Sequence, residues 1–344
     1  MARILIIYTG GTIGMIENPY SHALQPFDFD HLLDNVPKVK MLDFDIDHVA
    51  FTPPIDSSNM TPRHWAEIAR HISDNYNDYD GFVVLHGTDT MAFTASALSF
   101  MLENLRKPVI ITGSQLPIGE VRTDGEENLI TALQIAAERV PGTSEPMVQE
   151  VAILFENHLL RGNRSTKVSA AGFNAFASNN YPDLARIGLT IDYNREALYR
   201  TPAARPLAVH YDMETAVMIL SLHPGLTPDV LRHQLAIPGL KGVVMRTFGA
   251  GNSPTEPWFI ELIREALERG LVIVNVTQCA AGAVNPDLYD TGNALARAGI
   301  INGHDITIEA ALTKMMYLLG EGLSAADVKR YMTAPICGCI TPRE

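Results

Sequence analysis

Cysteine is scarce in this chain, whose 344 residues include only Cys279, Cys337 and Cys339. A small, odd number of cysteines in a chain of this length argues against a disulfide framework. No histidine or further cysteine lies near the Cys337-Gly338-Cys339 segment at zinc-ligand spacing, which argues against a metal site there. The composition therefore predicts reduced thiols, as in a cytosolic protein.

Basic residues are also few. Lys and Arg total 26 against 39 Asp and Glu, so the formal net charge is −13. Nucleic acids and anionic membranes both attract clustered Lys and Arg, so neither is expected as a partner. No stretch approaches the roughly 20 apolar residues of a membrane span, and the apolar run at residues 4–8 is too short for a signal peptide. We expect a soluble, cytoplasmic protein.

Short apolar runs alternate with helical patterns along the whole chain. The runs predict strands at residues 4–8, 82–86, 109–112, 151–155, 216–221, 242–246 and 272–276, and helices are predicted at 62–76, 90–105 and 125–139. This alternation is typical of α/β folds with mainly parallel sheets and flanking helices. We expect a larger N-terminal domain (residues 1–190), a proline-containing linker (191–211) and a smaller α/β C-terminal domain with a parallel sheet (212–344). Ligands of such sheets bind beyond the carboxyl ends of the strands.

The first strand ends on Thr9-Gly10-Gly11-Thr12-Ile13-Gly14. The glycine spacing does not match a dinucleotide-binding fingerprint, and no Gly-Lys-Ser/Thr follows as in a P-loop. A tight turn explains the segment by itself. Glycines also let a substrate approach the backbone closely, which would leave Thr12 at the mouth of a parallel sheet.

A second polar cluster follows the strand at 82–86, where His86-Gly87-Thr88-Asp89-Thr90 precedes a helix. Helix capping explains one of these polar side chains but not all of them. In a functional interpretation, the Thr88 hydroxyl lies near a reacting carbonyl and the Asp89 carboxylate meets a substrate cation. Backbone N–H groups at the helix start are suited to stabilising an oxyanion.

Three further segments carry polar side chains at positions where they would line a site above the sheet. Ser114 follows the strand at 109–112, and Ser57 and Ser58 precede a helix, where serines commonly act as caps. Lys167 stands among small and polar residues. A surface lysine is the ordinary interpretation, whereas a desolvated lysine beside Asp89 and a threonine would act as a proton acceptor.

Taken in order, these segments resemble the bacterial L-asparaginase family, and its cytoplasmic type I group in particular. The motifs that carry the resemblance span essentially the whole chain: TGGTIGM, IDSSNMTP, LHGTDTMAFTASALSFML, ITGSQLP, RGNRSTKVSAAGFNAFAS, RTFGAGN, VTQC and TGNALARAGII. The resemblance implies two α/β domains, homodimers or homotetramers, and hydrolysis of L-asparagine to L-aspartate and ammonia without a metal or cofactor.

The resemblance also implies roles for individual residues. Thr12 matches the family's nucleophilic threonine. Thr88, Asp89 and Lys167 match its second, triad-like set, and which threonine attacks at each step is left open. A threonine hydroxyl becomes nucleophilic when a neighbouring base takes its proton.

Substrate-binding roles follow from the same motifs. Asp89 would bind the α-ammonium of the substrate, Ser57 with the backbone near Ser58 its α-carboxylate, and Ser114 its side-chain amide.

The family pairs the first threonine with a tyrosine on the following loop, and here this chain departs from the pattern. Tyr20 lies on that loop, although the matching position is alternatively Ala23. Tyr289 is a rival. We rank Tyr20 slightly ahead of Tyr289 as the residue that assists Thr12.

Some type I members also bind asparagine at a second, activating site. Thr166, Arg246 and Cys279 stand at positions that fit such a site, although Arg246 is equally interpretable as an interface ion-pair residue.

Other functions share much of this pattern. A glutaminase-asparaginase would differ by one substrate methylene, worth only about 1–3 kcal/mol of discrimination. An amidotransferase subunit for misacylated tRNA should carry an extra N-terminal domain and a less acidic surface. A non-catalytic amino-acid-binding module would need only Ser57 and Asp89, so the presence of Thr12, Thr88 and Lys167 favours an enzyme.

Overall fold

The computed structural model describes residues 1–17, 24–26, 36–201, 205–285 and 290–342. The chain divides into two compact units, Met1–Tyr211 and Asp212–Glu344. The fold prediction is confirmed, because each unit is an α/β structure with its own sheet.

The strands of the N-terminal unit are β1 (Ala2–Gly10), β2 (Met15–Glu17), β3 (Leu24–Pro26), β4 (Phe44–Ile55), β5 (Gly81–Leu85), β6 (Leu102–Glu103), β7 (Val109–Thr112), β8 (Val151–Phe155), β9 (His158–Arg161), β10 (Thr166–Lys167), β11 (Phe176–Ala177), β12 (Ala185–Ile187), β13 (Ile191–Tyr193) and β14 (Ala208–Val209). Its helices are α1 (Pro62–Asp74), α2 (Met91–Met101) and α3 (Gly125–Ala137).

Eight of these strands form one sheet in the order β13-β12-β9-β8-β7-β5-β1-β4. The strands from β4 to β8 in this order pair in parallel, whereas β9, β12 and β13 pair antiparallel. Every residue of β5, β7 and β8 is buried. This burial explains the uninterrupted apolar runs in the sequence, since helices cover both faces of such strands.

The described part of the C-terminal unit holds β15 (Val217–Ser221), β16 (Gly242–Thr247), β17 (Val272–Thr277) and β18 (Ile301–Asn302), which form a parallel sheet in that order. The helices beside them are α4 (Pro228–Leu235), α5 (Pro257–Glu268), α6 (Asp290–Ala298), α7 (Ile308–Gly320) and α8 (Ala325–Met332). Met315 and Met316 of α7 are buried, as expected for core residues.

The three predicted helices are present but end earlier than expected. Helix α2 ends at Met101 rather than near residue 105, because β6 pairs with β14 directly after it and Asn104 adopts φ 63°. The segment 191–211 was predicted as a linker, but its first three residues, 191–193, form β13 at the edge of the large sheet. A three-residue stretch is too short for its apolar pattern to distinguish an edge strand from a loop.

Within the described residues, no helix is both long enough and apolar enough to cross a membrane.

Candidate active site

The candidate site lies at one edge of the large sheet, where parallel strands end together. Strand β5 pairs in parallel with β1 on one side and with β7 on the other. Their carboxyl ends therefore carry Thr12, Thr88 and Ser114 to the same edge, as the motif order predicts.

Close backbone packing explains the glycines that follow β1. Gly11 adopts φ +91°, and a Cβ atom added there would lie 2.4 Å from the Gly87 nitrogen. A Cβ added at Gly87 would in turn lie 2.6 Å from Ser57 Oγ. Because Gly11 and Gly87 have no side chains, the loops after β1 and β5 and the segment before α1 can pack directly against one another.

The two threonines that flank these glycines have different environments. Thr9 is buried, and its hydroxyl donates a hydrogen bond to the Leu85 carbonyl oxygen across 2.9 Å, which ties β1 to β5. Thr12 begins a short 3-10 turn and is partly exposed. Thr9 therefore has a structural role, and Thr12 is the threonine available to a ligand.

Lys167 joins the second polar cluster from a distant segment. It lies on β10, which pairs with β11 in a two-stranded antiparallel ribbon. Its Nζ donates to Thr88 Oγ1 at 2.8 Å and to Asp89 Oδ1 at 2.7 Å. The Lys167 side chain is 20% exposed and the Asp89 side chain 63%, while Thr88 is buried. An ammonium group, a hydroxyl and a carboxylate thus meet at the solvent boundary.

The segment before α1 contacts this cluster through Ser57. Ser57 is buried, its Oγ accepts a hydrogen bond from the Asp89 N–H at 3.2 Å, and its carbonyl oxygen accepts one from Thr90 Oγ1 at 2.7 Å. Ser58 is exposed, and its N–H donates to Asp56 Oδ1 at 2.9 Å. Ser57 therefore fixes the backbone of Asp89, whereas Ser58 faces solvent.

Asp124, which was not among the predicted site residues, organises the loop after β7. Ser114 is buried, and its hydroxyl donates to the Leu116 carbonyl oxygen. The Asp124 carboxylate accepts from the N–H groups of Gln115 at 2.9 Å and Leu116 at 3.1 Å, and from Asn128 Nδ2 at 3.3 Å. Asp124 lies directly before α3, but its side chain makes no capping hydrogen bond to that helix and binds the loop after β7 instead.

His86 is a second residue that the sequence analysis left without a role. It is fully buried, and its Nδ1 lies 2.6 Å from the Gly87 carbonyl oxygen. Because a carbonyl only accepts, Nδ1 carries the proton and Nε2 accepts from Thr94 Oγ1 at 2.8 Å. Thr94 Oγ1 also accepts from Trp65 Nε1 at 2.9 Å.

Burial lowers the pKa of His86 to about 4, and the hydrogen bond to Gly87 opposes that shift. The ring is therefore neutral near pH 7. It anchors the backbone one residue before Thr88 and is enclosed away from solvent.

Thr166 is the neighbour of Lys167 on β10, and the remaining predicted site residues lie outside the described residues or belong to the C-terminal unit. Tyr20, Ala23 and Tyr289 all lie outside the described residues. Thr166 belongs to β10 in the N-terminal unit.

Arg246 and Cys279 belong to the C-terminal unit. Arg246 is half-buried on β16, with its Nη1 3.5 Å from Ser221 Oγ. Cys279 is exposed just after β17. In the part of the chain that the structure describes, no group of three or more His, Cys, Asp or Glu side chains is arranged to hold a metal ion.

Two family models match this chain. Residues 3–199 match the family model described as Asparaginase, N-terminal, and residues 216–332 match the Glutaminase/Asparaginase C-terminal domain. Together the two matches cover most of the chain. The protein belongs to the asparaginase family. The boundary between the two matches falls close to the division between the two compact units.

Individual relatives of this asparaginase chain are similar over nearly its whole length. L-asparaginase 1 of Escherichia coli K12 is 45% identical over 345 residues, which cover 98% of each chain. The crystal structure of L-asparaginase I from Vibrio cholerae superimposes with a TM-score of 0.89 at 42% identity, covering 99% of both chains. A 60 kDa lysophospholipase of Mus musculus is 44% identical over 98% of this chain but only 62% of its own length.

Proposed function

We propose that this protein is an amidohydrolase that converts L-asparagine and water into L-aspartate and ammonia. The observation that supports this function most directly is the pair of hydrogen bonds from Lys167 Nζ to Thr88 Oγ1 and Asp89 Oδ1. A non-catalytic amino-acid site would need the carboxylate and a carboxylate-binding serine, but it would have no use for a hydroxyl held against an amine.

In the proposed reaction, Thr12 Oγ attacks the side-chain amide carbon of asparagine. Its proton passes to a neighbouring base, the C–O bond forms, and the C–N bond then breaks as ammonia leaves with a proton. A water molecule hydrolyses the resulting ester and releases L-aspartate and the threonine hydroxyl. Thr88 and Lys167 form a second hydroxyl–amine pair that is suited to activating this water or to attacking in its own right.

Substrate orientation is assigned to the groups around this pair. The exposed Asp89 carboxylate binds the α-ammonium group. Ser57 with the backbone near Ser58 binds the α-carboxylate. Ser114 with its neighbouring backbone holds the side-chain amide, and removing one donor to the developing oxyanion would slow the reaction by roughly 10²–10³-fold.

The decisive experiment is ammonia release from L-asparagine, L-glutamine and D-asparagine measured side by side. We expect release from L-asparagine, loss of it in Thr12→Ala and Thr88→Ala, and wild-type rates in Thr143→Ala, which removes an exposed hydroxyl on a loop between α3 and β8. Glutamine turnover at a similar rate would indicate a glutaminase-asparaginase. No ammonia from any amide, with L-aspartate still bound, would indicate a binding module.

The name of the mouse relative makes a lysophospholipid a necessary control substrate. We expect no fatty-acid release from lysophosphatidylcholine, because the described site is built from short polar side chains around Thr88.

The tyrosine that assists Thr12 is tested separately. We propose Tyr20 ahead of Tyr289, so Tyr20→Phe should lower kcat more than Tyr289→Phe. If neither variant is slow, no tyrosine has this role.

Two further properties are proposed for the same enzyme. It forms homodimers or homotetramers, which light scattering of the purified protein tests. Asparagine also activates it through Thr166, Arg246 and Cys279. A sigmoidal rate curve that becomes hyperbolic in Arg246→Ala supports this activation, and a hyperbolic wild-type curve contradicts it.

A further inference from the structure

The C-terminal unit contains a buried lysine in contact with a thiol. Lys314 lies on α7 and is 0% exposed. Its Nζ donates hydrogen bonds to the carbonyl oxygens of Met332 (3.0 Å) and Ala334, and to Cys339 Sγ at 3.4 Å. These contacts use all three N–H bonds of an ammonium group. We call Lys314, Cys337 and Cys339 the lysine–thiol cluster.

The two carbonyl contacts have an ordinary structural explanation. Helix α8 ends at Met332, and a cation stabilises the last carbonyls of a helix. The third contact is not explained in this way, because a neutral thiol is a weak acceptor. An adjacent ammonium group favours the thiolate, which is the nucleophilic form of cysteine. Cys339 is itself 0% exposed, and its Sγ also lies 3.9 Å from the Ala334 carbonyl oxygen, so Lys314 is a charged group in direct contact with this sulfur that can stabilise a thiolate.

Cys337 supplies the second thiol of the cluster and differs from Cys339 in its accessibility. It is half-buried, whereas Cys339 is enclosed. Burial lowers the pKa of Lys314, and the charges of Cys339 and Cys337 oppose that shift. Cys339 therefore contacts this amine from inside the protein, and Cys337 stands two residues earlier in the chain at the boundary with solvent.

The backbone between the two cysteines forms a tight turn. Cys337 adopts φ 49° and Gly338 φ 71°, and the Gly338 and Cys339 N–H groups donate to the carbonyls of Pro335 and Ile336. Two Cα–Cα steps of about 3.8 Å, bent by such a turn, keep the end-to-end separation near the roughly 4.4–6.8 Å that a disulfide spans. The Cα spacing of this turn is therefore compatible with a disulfide, which further requires the two side chains to turn toward each other.

We propose that Cys337 and Cys339 form a redox-active dithiol that low-molecular-weight disulfides oxidise, with Cys339 held as the resolving thiolate by Lys314. The Cys337 thiolate attacks the small disulfide, forms a mixed disulfide and expels one small thiolate. The Cys339 thiolate then attacks Cys337 Sγ, forms the Cys337–Cys339 bond and expels the second small thiolate. Two protein thiols lose two electrons and two protons, and the small disulfide becomes two thiols.

This arrangement predicts a specific effect of the lysine on the redox equilibrium. The ammonium group stabilises the reduced state through the thiolate, and oxidation removes that thiolate from a buried site. Lys314 therefore makes the disulfide easier to reduce, while it accelerates closure by keeping Cys339 ionised. A lysine that only capped α8 would change neither quantity.

The test uses the full-length Cys279→Ser variant, which removes the exposed third thiol. After incubation in glutathione buffers of increasing oxidised fraction, mass spectrometry of the C-terminal peptide should show the loss of two hydrogen atoms. In Cys339→Ser on the same background, the reaction should stop at a glutathione adduct on Cys337. Retention of both thiols in the most oxidising buffer, or a lasting adduct on Cys337 while Cys339 is present, would overturn the proposal.

Lys314→Met on the same background tests the lysine. Disulfide closure should slow by about tenfold or more, and the midpoint should move toward more reducing buffers. An unchanged rate and midpoint would reject the role of Lys314. If this variant does not fold, the adduct trapped in Cys339→Ser and the disulfide formed with both cysteines still decide the central proposal.

Discussion

Each compact unit holds a lysine whose ammonium group touches an oxygen or sulfur nucleophile, and the two lysines differ in what else surrounds them. Lys167 pairs with the Asp89 carboxylate at the solvent boundary and donates to Thr88. Lys314 is fully buried and faces two carbonyl groups and the sulfur of Cys339.

The difference shows how the fold stabilises a positive charge at the solvent boundary and in the interior. An exposed carboxylate and access to water leave Lys167 open to a polar substrate. Burial excludes a substrate from Lys314, and the polar groups that compensate its charge belong to the protein itself. We therefore expect the first lysine to govern turnover and the second to govern the thiols beside it.

The strongest test of this comparison is to replace each lysine by methionine. Lys167→Met should lower kcat for L-asparagine by roughly 10²–10⁴-fold, the range for loss of a positioned acid or base. Lys314→Met should keep kcat within about twofold of the wild type while it alters the redox behaviour of the cysteines. Equal losses in two folded variants, as judged by circular dichroism, would contradict the division of roles.

A second test concerns the backbone contact that brings Thr12 beside the second cluster. Gly11→Ala should destabilise the protein by about 2–5 kcal/mol, because the new Cβ meets the Gly87 backbone and φ is positive. Gly142→Ala is the matched control, since Gly142 has φ +78° but no atom within 4 Å of the added Cβ. Urea unfolding measures both variants. Equal destabilisation would show that the positive φ alone, and not the contact with Gly87, explains why alanine is unfavourable at position 11.

Part of the candidate site could be predicted from the sequence, because Thr12, Thr88 and Ser114 each follow a buried strand. Parallel strands bring Thr12, Thr88 and Ser114 to one edge, and local apolar patterns reveal those strands. The contact of Lys167 with Thr88 spans 79 residues; the residue pattern left it as an alternative to a surface lysine, and the resemblance to a family favoured it. Asp124 and His86 were not predicted because their roles depend on hydrogen bonds to the backbone of other residues, which the polar pattern of the sequence does not reveal.

The lysine–thiol cluster was not predicted, although its sequence contains a signal. Ala311, Lys314 and Leu318 follow a helical period, and all three are buried. A lysine on the buried face of an amphipathic helix requires a polar partner. The identity of that partner depends on how the chain turns after α8, and hydrophobic periodicity carries no information about such a turn.

The antiparallel strands β12 and β13 were also not predicted. Each has only three residues and is partly exposed, so neither produces a clear apolar pattern.

His86 differs from both lysines, because it is a fully buried titratable group that is neutral near pH 7. The pKa of His86 in the folded protein is about 4, below the ordinary value of 6.5. The folded state therefore binds this proton only at a lower pH than the unfolded state does. Stability is therefore complete above about pH 6.5 and decreases as the pH falls toward 4, by up to about 3 kcal/mol from this residue.

His86→Gln should consequently flatten the decrease in the free energy of unfolding between pH 6.5 and 4. His223→Gln, at an exposed position, should retain the wild-type slope. Denaturant unfolding at several pH values measures the slopes. Identical slopes for wild type and His86→Gln would show that the pKa of His86 is not lowered by folding.

Asp124 is the anionic counterpart of Lys314, because its buried carboxylate is compensated by N–H donors of the chain. In Asp124→Asn, an amide nitrogen replaces one carboxylate oxygen and turns a donor toward the N–H groups of Gln115 and Leu116. We expect a loss of about 1–2 kcal/mol of stability, since a buried donor without a matching acceptor is left desolvated.

Because this loop carries Ser114, kcat/KM for L-asparagine should also fall in Asp124→Asn. The decrease should be about 3–10-fold if roughly 1 kcal/mol of the lost stability is expressed at the site. Asp229→Asn, at an exposed carboxylate paired with Arg232, should change neither quantity. Unchanged kcat/KM in Asp124→Asn would mean that the loop keeps Ser114 in place without the carboxylate, and that Asp124 supports only the fold.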